Sequence, residues 1–224
     1  MTDGLSTGRQ AEPVAPAPPA VVINRLSPFL PILVRYAGWL TGPGTVRGLI
    51  GPREVPRLWD RHLLNSVALS ELLPSGVRLV DIGTGAGLPG LAVACVRPDL
   101  EVDLVESSLR RTDFLTEAVQ DLGLLDRVRV VRGRAEDRDV VRTVGSSSFV
   151  TARAVAPLDK LVKWSFPLLK RGGSLLAIKG ESAEAELAQH RSLITRMRGE
   201  IGGVVECGAG LVDPPTRVVT VTRR

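Results

Sequence analysis

The sequence predicts a doubly wound α/β domain, a mainly parallel seven-stranded sheet with helices in front of it. Three observations carry that expectation. From residue 77 onward, short apolar runs alternate with helical patterns, and such alternation calls for right-handed crossovers between parallel strands. The first of these runs, 77–82, contains Asp81 and leads into glycines at 83, 85, 87 and 90, as a strand feeding a tight turn and a helix would. The last run, 216–222, alternates Val219 and Val221 with Thr220 and Thr222. It reads as half of a terminal hairpin, adding one antiparallel strand.

Taken in order, residues 1–22 are rich in Pro and Ala and lack the apolar segment of a secretory signal; they are expected to be a disordered tail. Residues 23–224 are expected to form one domain, with N-terminal helices over 23–75 and a Rossmann-like core over 76–224. Apolar residues at helical spacing predict a helix over 25–40, broken at Thr41-Gly42-Pro43-Gly44, and a second over 54–73. Strands follow at 77–82, 101–106, 127–131, 148–151 and 174–178, with helices at 89–97, 108–122, 158–169 and 181–198. Segments 203–207 and 216–222 close the chain as strands. No internal repeat is present.

Composition narrows the function. An apolar fraction of 44% suffices for a sizeable core, and no stretch reaches the roughly 18 apolar residues of a membrane helix. Two cysteines, Cys95 and Cys207, make neither a disulfide framework nor a metal motif, so a reducing cytoplasm and no metal are expected. The net charge of +5 favours a nucleic-acid partner. Arginine supplies 25 of the 29 basic residues, which also fits a GC-rich genome. Aromatics at 4% are too scarce for a base-stacking platform.

Asp81-Ile82-Gly83-Thr84-Gly85-Ala86-Gly87-Leu88-Pro89-Gly90 fits two cofactor classes. Gly85, Gly87 and Gly90 match the dinucleotide spacing G-x-G-x-x-G, which supports a nicotinamide-dependent oxidoreductase. The longer form D-x-G-x-G-x-G is that of S-adenosylmethionine-dependent methyltransferases. An acid at the strand tip suits that cationic ligand better than a pyrophosphate. Glu106, closing the second strand, is placed to accept from ribose hydroxyls; Ala135 and Glu136, after the third, are placed to meet an adenine edge. Arg153 lies between apolar neighbours and must find a partner. Arg110 and Arg111 open a helix where the dipole disfavours cations, which points to phosphate contacts.

Asp213-Pro214-Pro215-Thr216 resembles the D-P-P-Y of amino-methyltransferases but lacks its aromatic and lies between the last two strands; it reads as a turn. Neither that motif nor a Pro-Cys nucleophile follows the fourth strand, against exocyclic-amine or cytosine-C5 chemistry. Guanine N7 fits what remains, because its lone pair is free and no proton need be removed.

Arg61-His62-Leu63-Leu64-Asn65-Ser66, the glycine motif, Ser148 to Ala154 and Ala177-Ile178-Lys179-Gly180 stand in one order. Over about residues 50 to 224 the chain resembles the bacterial small-subunit ribosomal RNA (guanine-N7)-methyltransferase family, also called glucose-inhibited division protein B. The resemblance implies a cytoplasmic enzyme of the class I methyltransferase fold, using S-adenosylmethionine to methylate one guanine N7 in 16S ribosomal RNA. In such a family, loss of activity goes with low-level streptomycin resistance. It implies cofactor contacts at Gly83, Gly85, Gly87, Leu88, Glu106, Ala135, Glu136 and Arg153. It implies catalytic roles for Arg153, His62 and Arg61, and RNA contacts at Arg110, Arg111, Arg134 and Lys179. The small ribosomal subunit or its RNA is the expected partner and a monomer the expected state. Two departures stand out: the serine expected before Arg153 is Ala152, and a W-N-x-x-x-N-L-T stretch is not recognisable around Trp39 to Thr45. A non-catalytic RNA-binding protein on the same fold is the remaining alternative.

Overall fold

The computed structural model describes residues 14–224. Seven strands, β1 (Arg78–Ile82), β2 (Glu101–Glu106), β3 (Val128–Arg132), β4 (Ser147–Arg153), β5 (Leu169–Lys179), β6 (Gly199–Cys207) and β7 (Thr216–Arg223), form one sheet. Their order is β3-β2-β1-β4-β5-β7-β6. β7 alone runs antiparallel to its neighbours, β5 and β6, so the hairpin reverses the strand direction once, as its alternation predicts. The chain reverses sheet direction between β1 and β4, and a crevice opens there at the strand carboxyl ends.

Helices α1 (Ala20–Arg25), α2 (Leu30–Thr41), α3 (Pro43–Val46) and α4 (Asn65–Val67) precede the sheet; α5 (Gly90–Val96), α6 (Leu109–Asp121), α7 (Arg138–Val144), α8 (Leu158–Ser165) and α9 (Ala183–Arg196) lie between strands. Two buried clusters result. Tyr36, Leu63, Leu91 and Phe114 mark one, shared by the N-terminal helices, α5 and α6. Val140, Leu161, Leu187 and Ile194 mark the other, beneath α7, α8 and α9. Their separation by the sheet explains why central strands read as continuous apolar runs.

Several local expectations are corrected. The helix expected over 25–40 starts as a regular helix only at Leu30, after a 3₁₀ turn at Ser27–Phe29, because Pro28 and Pro31 lack the N–H groups a continuous helix needs. The helix expected over 54–73 is a succession of a 3₁₀ segment (Pro52–Arg57), a π turn (Leu58–Leu64), α4 and a second 3₁₀ segment (Ala68–Leu72). Pro56 interrupts its beginning, and the wider π turn carries Arg61 and His62. α7 was not expected; only Val140 and Val144, one helical turn apart, are buried in it. β5 starts at Leu169 and absorbs the expected turn at 170–173 as an irregularity, its pairing with β4 shifting between Ser147 and Phe149.

Residues 1–13 of the expected N-terminal tail lie outside the described residues. Of the remainder, α1 begins at Ala20 and buries Val22, and the Trp59 indole N–H donates to the Pro16 carbonyl at 2.8 Å.

Gly90 sets how closely β1 and α5 approach. A Cβ there would stand 2.7 Å from both Asp81 Cβ, which is fixed to the backbone of β1, and Leu104 Cδ2, a methyl fully buried in the core. Gly90→Ala is therefore expected to lower stability by about 1–3 kcal/mol, as overpacking does, seen as a fall in urea midpoint without a change in slope.

Candidate active site

The glycine turn is built from both sides. The backbone N–H groups of Gly83 and Thr84 donate to the Val105 carbonyl at 2.8 and 3.2 Å, extending the β1–β2 ladder past the end of β1. Gly83, Gly85 and Gly87 have φ of +65°, +64° and +99°, a region glycine enters without a Cβ penalty. The three do different things. A Cβ at Gly83 would strike Val155, and one at Gly87 would strike Tyr36 and Leu91; around Gly85 nothing lies within 4 Å. Gly85 thus marks the open part of the turn. The Leu88 side chain points into the core.

Asp81 lies beneath this turn, fully buried. Its Oδ2 accepts from Thr84 Oγ1 at 2.5 Å and from the Gly90 N–H at 2.7 Å; its Oδ1 has no partner among the described residues. Burial pushes this carboxyl up to about 7, against the two hydrogen bonds and the nearby charge of Arg153, which pull it down. Glu106 closes the turn from β2. Its Oε2 accepts from the Gly85 N–H at 3.1 Å and meets Arg111 Nη1 at 3.5 Å; its Oε1 accepts from the Ser108 N–H at 2.9 Å.

Ala135 and Glu136 follow β3 and line a cleft of about 190 Å³ with Gly83 and Val155. This is the position their place in the sequence predicts. Glu136 is exposed and Ala135 buried.

A second, larger cleft of about 790 Å³ opens past the end of β4, its lining including Glu54, His62, Arg153, Lys179 and Asp213. Arg153 finds its partner here: Nη2 donates to His62 Nδ1 at 3.2 Å, and Nη1 donates to the Arg61 carbonyl at 3.2 Å. His62 Nε2 stands 2.8 Å from Glu54 Oε2. Because guanidinium can only donate, Nδ1 accepts and Nε2 carries the proton. Burial lowers the imidazole pKa, opposed by the Glu54 hydrogen bond. The Arg61 side chain is half-exposed, with Nε 3.6 Å from Glu54 Oε2.

The other sequence candidates divide. Arg110, Arg111 and Arg134 are exposed at the same end of the sheet. Lys179 differs. Its ammonium donates to the Ala156 carbonyl and pairs with Glu186 Oε1, both at 2.9 Å, and Glu186 also accepts from the Leu158 N–H at 2.5 Å. Lys179 is thereby occupied in holding the loop after β4, which includes Ala154 at φ +55°. Asp213-Pro214-Pro215 forms a turn, as expected, and the turn borders the larger cleft.

Two contributors escape a reading of the sequence. Tyr36 on α2 is fully buried and donates its hydroxyl to the Ala86 carbonyl at 2.8 Å, so an N-terminal helix holds the glycine turn in place. Glu54 precedes the Arg61-His62 motif by about two turns and reads as an ordinary helix charge. The one available signal for Tyr36 was that it is the chain's single tyrosine, on an otherwise aliphatic face.

A family model described as rRNA small subunit methyltransferase G matches residues 30–212. The chain belongs to that family. A ribosomal RNA small subunit methyltransferase G from Mycobacterium marinum is 55% identical over 196 residues, covering 88% of this chain and 85% of the relative. One of the same name from Thermobifida fusca is 56% identical, covering 86% of this chain and 80% of the relative. Membership makes the chain an S-adenosylmethionine-dependent rRNA methyltransferase, and the oxidoreductase and non-catalytic alternatives are dropped. In fold the methyltransferase is similar to solved structures of distant sequence. The mitomycin 7-O-methyltransferase MmcR superposes with a TM-score of 0.56 at 18% identity, covering 90% of this chain and 76% of that one. Aeropyrum pernix fibrillarin, crystallised with S-adenosyl-L-methionine, superposes with a TM-score of 0.53 at 19% identity, covering 71% of this chain and 76% of that one.

Among the described residues no helix is long and apolar enough to cross a membrane, and no three His, Cys, Asp or Glu side chains are grouped as metal ligands.

Proposed function

We propose that this methyltransferase modifies N7 of one guanine in 16S ribosomal RNA, acting as a cytoplasmic monomer on the small subunit or its RNA. One observation carries the reading. An open glycine turn flanked by buried acids lies beside a wide cleft, and Arg153 stands between the two, its charge felt by Asp81 on one side while it bonds His62 on the other.

The donor set fits the cofactor. S-adenosylmethionine, when bound, supplies an electrophilic methyl group on a sulfonium sulfur. In this reading Glu106 takes the ribose hydroxyls. The open backbone at Gly85 lets the ligand approach, with Gly83, Gly87 and Leu88 holding the turn's shape. Asp81, with one oxygen unpartnered, supplies negative charge beneath a cationic ligand. Ala135 and Glu136 border the adenine through a backbone N–H and a carboxylate. Arg153 has three further N–H donors beyond the two it uses on His62 and Arg61, enough to hold a carboxylate or position the base.

At N7 the ring lone pair attacks directly. With the cofactor bound, N7 would take the methyl as the sulfur–methyl bond breaks, and the positive charge would pass to the purine. No proton moves, so the site needs alignment and water exclusion rather than a general base. His62, the imidazole bordering the larger cleft, has both nitrogens engaged, which fits chemistry that needs no general base. Arg61, Arg110, Arg111 and Arg134 lie about the clefts' rim as phosphate contacts; Lys179 serves the RNA indirectly, by holding the loop beside it.

The test is tritiated methyl transfer onto unmodified small subunits and onto bare 16S RNA, followed by borohydride–aniline treatment. Strand cleavage at a single guanosine is expected. Label incorporated without cleavage would place the methyl elsewhere and overturn the N7 assignment.

A further inference from the structure

We propose that Glu54 is a positioning residue: by holding the His62 proton on Nε2 it leaves Nδ1 free to accept from Arg153, and so aims the guanidinium at the cofactor turn. The inference rests on the proposed role of Arg153. The chain of contacts is linear. Glu54 Oε2 lies 2.8 Å from His62 Nε2, and His62 Nδ1 lies 3.2 Å from Arg153 Nη2. Each link determines the next. A carboxylate can only accept and a guanidinium can only donate, so the imidazole between them has one allowed tautomer.

The arrangement is anchored at both ends. Ser66 Oγ donates to the His62 carbonyl at 2.6 Å, and Arg153 Nη1 donates to the Arg61 carbonyl at 3.2 Å. The backbone of the π turn and the end of β4 are thus joined twice, once through the imidazole and once through the carbonyl beside it. Without the carboxylate, the Nδ1–H tautomer would turn a donor toward a donor and release Arg153.

Acid should break the same link. A second proton on His62 removes its acceptor and sets two cations face to face. The charged groups that act on the imidazole are Glu54, which favours the protonated form, and Arg61 and Arg153, which oppose it; burial opposes it most. Arg57, Asp60, Glu181, Asp213 and Arg217 also border the cleft. The acid limb of kcat is expected below the ordinary histidine value. Removing the carboxylate charge moves it lower still.

The experiment uses two variants and two readouts. Glu54→Gln keeps an oxygen that can accept from Nε2–H; Glu54→Ala keeps none. Long-range ¹H–¹⁵N spectra of histidine-labelled protein report the tautomer directly, and with only His62 and His190 in the chain the signals are separable. The wild type and Glu54→Gln should both show His62 protonated on Nε2 with Nδ1 bare, and Glu54→Gln should titrate at lower pH. Glu54→Ala should show mixed tautomers and lose roughly tenfold in kcat, the equivalent of one hydrogen bond, with S-adenosylmethionine affinity within about twofold. Glu54→Gln should recover most of that loss. An unchanged tautomer in Glu54→Ala, or equal kcat losses in both variants, would overturn the proposal. Absent methyl transfer by the wild type would instead refute the proposed function, while the spectra still decide the role of Glu54.

Discussion

Replacing Glu106 by alanine is expected to weaken S-adenosylmethionine binding at least about 100-fold while leaving the fold intact. The carboxylate lies at the tip of β2, and only 3% of it is exposed. In the free protein its oxygens accept from the Gly85 and Ser108 N–H groups, so it is already oriented before any ligand arrives. Two charge-assisted hydrogen bonds to vicinal hydroxyls contribute on the order of 1.5–3 kcal/mol each. Losing both corresponds to two or more decades in affinity. The turn itself should survive, because Gly83 and Thr84 are held by the Val105 carbonyl and Ala86 by Tyr36, not by Glu106. Titration calorimetry with circular dichroism as the folding control reads both quantities. Affinity within threefold of wild type would remove Glu106 from the cofactor site.

Asp81→Asn is expected to raise stability at pH 8 and abolish tight cofactor binding. The buried carboxyl has its pKa raised from 3.8 to about 7. Between those values the folded state holds a proton that the unfolded state has released. Stability therefore falls as pH rises from about 4 to 7 and levels off above. A shift of about three units corresponds to roughly 4 kcal/mol of destabilisation at alkaline pH. Asparagine still offers an oxygen to Thr84 and Gly90 and carries no charge to bury. The melting temperatures of variant and wild type should therefore lie close together at pH 4 and separate progressively up to pH 8, with the variant higher. A buried carboxyl raised in this way marks a candidate functional site. A gap that stays constant with pH would show that Asp81 does not titrate in this range.

Much of this site is legible in the amino-acid sequence. The order of Asp81, the glycines, Glu106, Ala135-Glu136 and Arg153 along the chain, each at the end of an apolar run, places them at the carboxyl end of a parallel sheet. That inference needs only strand periodicity and the right-handed crossover rule. The expected strands from 77–82 to 216–222 are present, with ends shifted by at most five residues. Errors cluster where tertiary contacts decide local structure. α7 forms with two buried residues, and the π turn is stabilised by the contacts His62 and Arg61 make with β4. Lys179, at the end of β5, is an RNA contact only by the resemblance; that it pairs with Glu186, seven residues on, is a contact the sequence pattern does not show.

The sequence by itself determined the fold, the glycine turn and the direction of the sheet, because these follow from patterns repeated over a few residues. Only the tertiary structure decided which glycine of the turn is open, which acid holds His62, and that Tyr36 steadies the turn from α2. Those facts depend on pairs separated by 50 residues at Tyr36–Ala86 and by 91 at His62–Arg153. No local periodicity encodes such pairs. They arise when the packed core brings the N-terminal helices against the strand ends.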